Sequence, residues 1–222
     1  DVGSYYKGEH LNDIWGLTTI GIAKSQEEMD AHLAKVDQSS VGTNWGVGDI
    51  MYADLDGDGK ISNGTNKLGD TGDYRIIGNS TPRFKYGITL DAAWKGFDFS
   101  IFMQGIGKRD LWLDGCYFWG ANGQGNEWQS TGFAEHWDFF RPEGDPLGAN
   151  LNSYYPRVNF SGDRNTKVQT RYLQNGAYLR LKNVQLGYTL PRVWTEKAGI
   201  SSVRVYVSGD NLATITSLSK IF

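Results

Sequence analysis

The sequence predicts an all-β protein, a segment of an antiparallel up-and-down transmembrane β-barrel with about five strands and long loops. Apolar and polar residues alternate in several segments, and the connections between these segments are alternately long and short. Gly supplies 29 residues and Pro only 5, while aromatic residues make up 14% of the chain, a composition typical of turn-rich β-structure. A barrel strand crosses a bilayer with only ~9–11 residues.

Composition also excludes several classes of protein. The formal net charge of -3 argues against a nucleic-acid-binding surface built on bulk positive charge. No apolar run approaches the ~20 residues of a membrane-spanning helix. A single cysteine, Cys116, rules out an internal disulfide and a cysteine zinc cluster.

The clearest element is a β-hairpin. Residues 84–94 alternate between apolar and mostly polar positions, and residues 97–104 repeat the pattern except at Phe102, which breaks the polar face. Lys95 and Gly96 separate the two segments and form a tight turn. The sequence therefore predicts two paired strands with one apolar and one polar side.

Further strands are expected before and after the hairpin. Residues 184–190 alternate, but Leu179 and Leu181 lie in the opposite phase, which indicates a β-bulge or a late strand start near Lys182. Residues 203–208 form the next alternating segment. A weaker pattern predicts a first strand over about residues 15–23.

The connections also carry information. Long segments precede and follow the hairpin, whereas the hairpin turn takes two residues. Compact domains usually connect strands by ~4–6 residues, but outer-membrane barrels combine short periplasmic turns with long extracellular loops. Short helices are predicted over residues 25–36, where Ser25 and Glu28 suit a capping box, and over residues 131–137 and 194–198. A soluble β-sandwich remains the alternative architecture.

The first long loop contains a calcium-like motif. Asp54, Asp56 and Asp58 occupy positions 1, 3 and 5, and Gly59 occupies position 6, where the chain must turn sharply. Position 12 is Thr65 rather than the usual Glu, so a later Asp would have to complete the site. The predicted Ca²⁺ ligands are Asp54, Asp56, Asp58, Lys60 through its carbonyl, Ser62, Asp70 and Asp73. The alternative interpretation is a solvated acidic turn.

The second long loop, residues 112–155, is rich in aromatic residues. Aromatic rings stack on substrates but also pack long loops together. The predicted substrate-binding residues are Trp112, Trp119, Trp128 and Tyr154. We find no Ser-His-Asp grouping and no phosphate-binding glycine loop, so no catalytic residue is predicted and the chain is not expected to be an enzyme.

Four motifs, in order, carry a family resemblance. They read GDIMYADLDGDGKIS, IIGNSTPRFKYGITLDAAWKGFDFSIFMQGIG, RYLQNGAYLRLKNVQLGYTLP and VRVYVSGDNLATIT. The series is similar to the carboxy-terminal region of SusC/RagA-family TonB-dependent transporters and covers about residues 15–216.

The resemblance implies a 22-stranded barrel that encloses an amino-terminal plug in the outer membrane of a Gram-negative bacterium. It also implies a SusD-like surface lipoprotein as a lid, TonB as the energy source, and glycans or peptides as the imported substrate. Residues 1–222 are then expected to be part of one barrel domain, with the plug and the last strand absent. No nucleic-acid partner is expected. The alternative function is a soluble, calcium-stabilised, carbohydrate-binding β-sandwich.

Overall fold

The computed structural model describes residues 6–123, 125 and 132–218. These residues form two compact units. The loop unit takes in residues 6–80 and 111–174, and the strand unit takes in residues 81–110 and 175–218.

Strands and short helices alternate along the chain. The strands are β1 Asp13–Gly16, β2 Thr19–Ile22, β3 Ile50–Tyr52, β4 Arg75–Asn79, β5 Arg83–Trp94, β6 Phe97–Lys108, β7 Asp110–Leu111, β8 Gln174–Asn175, β9 Tyr178–Thr189 and β10 Arg204–Thr216. The α-helices are α1 Gln26–Leu33, α2 Cys116–Trp119 and α3 Arg192–Thr195. Single 3₁₀ turns occur at Ala134–Trp137, Thr170–Tyr172 and Glu196–Ala198.

The strand unit is a four-stranded sheet in the order β10-β9-β6-β5, and all of its neighbours are antiparallel. β5, β6 and β9 have 12 residues each and β10 has 13, which exceeds the ~9–11 residues that a barrel strand needs. The predicted hairpin is confirmed. Lys95 and Gly96 both have positive φ values, 48° and 91°, as a two-residue hairpin turn of type I′ requires.

A β-bulge interrupts β9 at the predicted place. Asn183 pairs with Phe102 and Leu181 pairs with Met103, so Lys182 has no partner position on β6. Lys182 is therefore an extra residue in β9. Because of it, Leu179 and Leu181 lie on the same side of the sheet as Val184, although their positions in the sequence are in the opposite phase.

The prediction of a long first strand over residues 15–23 is wrong. This segment forms the short strands β1 and β2, which pair with β4 and β3 in the loop unit. Leu17, between them, is fully buried, and its backbone bonds to Val168 and Thr170. Long-range partners therefore divide the segment, and the sheet of the strand unit has four long strands rather than about five.

The core of the loop unit combines aliphatic and aromatic side chains. Buried members include Leu17, Ile50, Tyr52, Phe118 and Tyr172. The helix predicted over residues 25–36 is α1. The Ser25 hydroxyl accepts a bond from the Glu28 N–H (3.2 Å), whereas the Glu28 carboxylate bonds the Lys24 N–H (2.6 Å), one residue before the usual capping-box partner. Met29 anchors the helix in a small second core cluster.

Short helical turns also occur near two other predicted positions. The 3₁₀ turn Ala134–Trp137 lies within the predicted 131–137, whose first residue is outside the described part of the chain. The prediction over 194–198 corresponds to α3 and the 3₁₀ turn that follows it.

Candidate functional site

One face of the four-stranded sheet is apolar throughout. Directly paired residues of antiparallel strands share a face, so the register defines rows of side chains that cross the sheet. From β5 to β10, the rows are Trp94, Phe97, Tyr188, Val205; Ala92, Phe99, Leu186, Val207; Leu90, Ile101, Val184, Gly209; Ile88, Met103, Leu181, Ala213; and Tyr86, Gly105, Leu179, Ile215.

This face is not buried in the chain. Leu90 is 54% exposed, Val207 67% and Ile215 72%. A soluble sandwich would bury such a face against a second sheet. An exposed apolar face of this extent is typical of a surface that contacts lipid or a protein partner.

The opposite face of the sheet is largely polar and hydrogen-bonded. Arg204 donates from Nε to the Asp98 carboxylate (2.9 Å) and from Nη2 to the Gln185 amide oxygen (2.9 Å). Gly187 lies under this ion pair, since an added Cβ would come within 2.5 Å of the Asp98 carboxylate. Further along the strands, Arg180 bonds Thr214 (3.0 Å). A sheet with one apolar face and one polar face matches the wall of an outer-membrane barrel, whose interior is polar.

The loop that contains Asp54, Asp56 and Asp58, called the acidic loop, folds around the carboxylates of these residues. The Asp54 carboxylate accepts the N–H groups of Gly57 (2.7 Å) and Gly59 (2.9 Å). Asp56 accepts the Asp58 N–H (3.1 Å), and Asp58 accepts the Lys60 N–H (2.7 Å). These turns bring ligand oxygens of Asp54, Asp56 and Asp58 within 4.8 Å of one another.

The later predicted ligands take a different place. The buried Asp73 carboxylate accepts the N–H groups of Leu55 (2.6 Å) and Ser62 (2.8 Å), so it joins the two ends of the acidic loop. Asp70 accepts the Thr65 N–H (3.1 Å), and the Ser62 hydroxyl accepts the Gly64 N–H (3.0 Å). Among the described residues, the close group of carboxylates consists of Asp54, Asp56 and Asp58, without Asp70 or Asp73.

The electrostatics of the three carboxylates differ. Lost hydration raises the pKa of Asp54, but hydrogen bonds, led by those from the Gly57 and Gly59 N–H groups, together hold the pKa below its usual value. The Asp58 N–H lowers the pKa of Asp56, yet lost hydration and the charges of Asp73, Asp58 and Asp54 raise it above its usual value overall. Crowded carboxylates of this kind suit a hard divalent cation, which removes their mutual repulsion.

The predicted substrate residues are mostly part of the packing. Trp119 is only 2% exposed, and its ring lies 5.8 Å from that of the half-buried Trp112. Tyr154 packs edge-on against Tyr155 and Tyr172, with ring centroids 4.8 and 5.4 Å away. Trp128 lies outside the described residues. Substrate contact by these four residues stays a prediction.

Sequence reasoning missed a buried ion-pair cluster that joins the two long loops. Asp49 is fully buried and accepts two bonds from Arg157 (2.7 and 2.6 Å) and one from the Asn165 amide (2.8 Å). The Gly46 N–H adds a fourth bond (2.9 Å). Arg164 lies 3.6 Å from the same carboxylate, and burial lowers its pKa despite the charge of Asp49. Arg157 and Asn165 are each more than 100 residues from Asp49, and no local pattern reveals such a cluster.

The chain has relatives among known proteins. It is 35% identical to TonB-dependent receptor P3 of Formosa agariphila over 170 residues, or 76% of the chain and 15% of that receptor. It is 30% identical to TonB-dependent receptor P26 of the same bacterium over 208 residues, or 92% of the chain and 18% of the receptor. The chain thus spans less than a fifth of the length of these curated relatives. No family model matches.

A solved structure described as the RagAB peptide transporter shares the fold. The TM-score is 0.59 at 22% identity, and the match covers 94% of the chain and 20% of the transporter chain. None of these proteins is named as an enzyme, in line with the sequence-based expectation. No helix in the described ranges is long and apolar enough to cross a membrane. The two-faced antiparallel sheet and the two curated relatives agree with the motif series, and the chain belongs to the TonB-dependent receptors.

Proposed function

We propose that this chain is part of an outer-membrane transporter of a Gram-negative bacterium that imports oligosaccharides or peptides with energy supplied through TonB. The observation that carries the proposal is the four-stranded sheet, with one exposed apolar face and one polar face along strands of membrane-spanning length. The names of the curated relatives and of the structural neighbour support the same function.

The sheet is part of a larger barrel in this proposal. In the described part of the chain, β5 and β10 each pair with a strand on one side only. Unpaired backbone groups are not tolerated in lipid, so both edges require further strands. The family pattern supplies them as a 22-stranded barrel around a plug, and residues 1–222 contribute wall strands and loops to that one domain.

A SusD-like surface lipoprotein is the proposed partner at the long loops. Support comes from the connection lengths, since the hairpin turn takes two residues while residues 109–177 join β6 to β9. In outer-membrane barrels the short turns face the periplasm and the long loops face outward. The long loops of this chain are then the surface that meets the lid and the substrate.

Deletion of the gene in its native host tests the import function. We expect loss of uptake of one class of labelled oligosaccharide or peptide, and restoration by the full-length gene. A strain without TonB should show the same loss, because import is energy-dependent. Unchanged uptake of every oligosaccharide and peptide class in the deletion strain contradicts the proposal.

Calcium at the acidic loop is the second part of the proposal. The three carboxylates within 4.8 Å support a hard oxygen-ligated cation, with the Lys60 carbonyl as a further ligand and Asp73 holding the loop closed. Ca²⁺ would stiffen this loop, and the stiffened loop would dock the lipoprotein.

Titration of the full-length receptor with Ca²⁺ tests this site. Asp58→Asn should weaken Ca²⁺ binding roughly 10-fold or more, because it removes one of three charged ligands. Asp163→Asn is the matched control, since Asp163 is 68% exposed and pairs only with Lys167 among the ion pairs of the described residues. Equal Ca²⁺ affinity in both variants contradicts the metal site, and unchanged affinity for the lipoprotein in EDTA contradicts the docking role.

A further inference from the structure

The second long loop, which is rich in aromatic residues and is called the aromatic loop, contains a cavity of about 210 Å³. The sequence did not reveal this cavity. It lies within the loop unit, and Ala121 and Trp119 form part of its wall. Its other walls are mainly aromatic and aliphatic: Phe133, His136, Trp137, Phe139, Tyr155 and Val158. The cavity is partly open to solvent, and the two exposed rings among its walls, Phe133 and Trp137, are called its rim.

The rim is held in place before any ligand arrives. The His136 Nδ1 accepts the Phe133 N–H (3.1 Å), so Nε2 carries the proton that bonds the Phe118 carbonyl (3.1 Å). The Arg141 guanidinium stacks on the rings of Trp137 and Phe139, 5.3 and 4.9 Å from their centroids. Arg141 also donates to the Trp137 carbonyl (2.8 Å). A pre-ordered rim reduces the entropy lost on binding.

The walls suit an apolar group better than a sugar ring. A sugar presents several hydroxyls that each need a partner, but the Asn122 amide oxygen at the wall already accepts the Asn159 N–H (3.0 Å). Both ring nitrogens of His136 are also engaged. The apolar rings that form most of the walls instead suit an aromatic or branched aliphatic side chain, such as a peptide presents.

We propose that this cavity binds a single aromatic or branched aliphatic side chain of a peptide, and so selects peptides with such a residue. The inference rests on the proposed import function and narrows its substrate class from oligosaccharides or peptides to peptides. The volume of about 210 Å³ accommodates one side chain of the size of Phe or Leu.

Binding to the purified full-length receptor tests the inference. The probes are the pentapeptides Gly-Gly-Phe-Gly-Gly and Gly-Gly-Ala-Gly-Gly, with cellopentaose as the sugar probe. We expect the Phe peptide to bind roughly 10- to 100-fold more tightly than the Ala peptide, because one large side chain is buried. Ala121→Leu fills the cavity and should remove this difference, whereas Ala149→Leu, at an exposed position of the same loop, should keep it.

Two outcomes overturn the inference. The first is equal affinity of the unmodified receptor for the Phe and Ala peptides, a measurement that needs no variant to fold. The second is weaker binding of cellopentaose in Ala121→Leu with no change for the peptides, which assigns the cavity to a sugar. Failure of the import function is separate, because it appears as unchanged uptake in the deletion strain whatever the purified receptor binds.

Discussion

The Asp49 carboxylate accepts hydrogen bonds from three different residues of the described chain. The donors are the Arg157 guanidinium, the Asn165 amide and the Gly46 N–H, and they come from both long loops of the chain. A buried charge with this many donors is satisfied, and the loss of that charge leaves the donors unpaired. Asp49 therefore fixes the segment near residue 49 to residues 157–165.

Asp49→Asn should loosen the two loops. The new amide places N–H groups against donors, and we expect a cost of about 2–3 kcal/mol, reduced from the ~3–5 kcal/mol of a fully buried pair because Arg157 is 32% exposed. Hydrogen exchange of the intact receptor should rise roughly 30- to 150-fold at residues 44–50 and 157–165. Asp163→Asn should leave exchange there unchanged, and equal exchange in both variants would refute the role of Asp49.

The Asp49 cluster also shows which contacts between residues the sequence cannot predict. The close grouping of carboxylates in the acidic loop was predictable because Asp54, Asp56 and Asp58 lie at alternate positions within five residues. Asp49 and Arg157 are separated by 108 residues, so only the folded chain brings them together. The same reason hides the aromatic cavity, whose walls come from residues 119–122 and 132–158.

Among the elements, those whose partners are close in sequence were predicted best. β5 and β6 pair through a two-residue turn, and α1 begins at the predicted cap residue, Ser25. The segment 15–23 failed because its partners, β3, β4 and residues 168–170, lie far along the chain and divide it at Leu17. Alternation alone cannot distinguish a long strand from two short strands with different partners.

The two faces of β6 provide a test at the level of the strand. Ile101 lies on the apolar face between Leu90 and Val184, and its neighbour Ser100 lies on the polar face. Ile101→Arg should cost about 2–4 kcal/mol in the membrane, whereas Ser100→Arg should cost little. We expect less folded receptor in isolated outer membranes for Ile101→Arg, measured by heat-modifiable gel mobility. Equal folded amounts of both variants would argue against a lipid-facing side.

For the molecule as a whole, the direction of the sheet decides which connections face the cell exterior. If the turn at Lys95 and Gly96 is periplasmic, the β6–β9 connection is extracellular. An epitope inserted at the exposed Gly144 should then be labelled by antibody on intact cells. The same epitope inserted between Lys95 and Gly96 should be labelled only after permeabilisation. The reverse pattern would invert the proposed orientation.

The bulge at Lys182 bears on how this chain should be compared with its relatives. Because Lys182 has no partner position on β6, a strand one residue shorter at this point would keep Arg180 on the polar face and Leu179 and Leu181 on the apolar face. The number of residues in β9 is thus free to vary by one here, while the side that each flanking residue occupies is not. A one-residue gap in an alignment belongs at 182, and a gap placed a few residues away would exchange apolar-face and polar-face positions for the residues between that gap and 182.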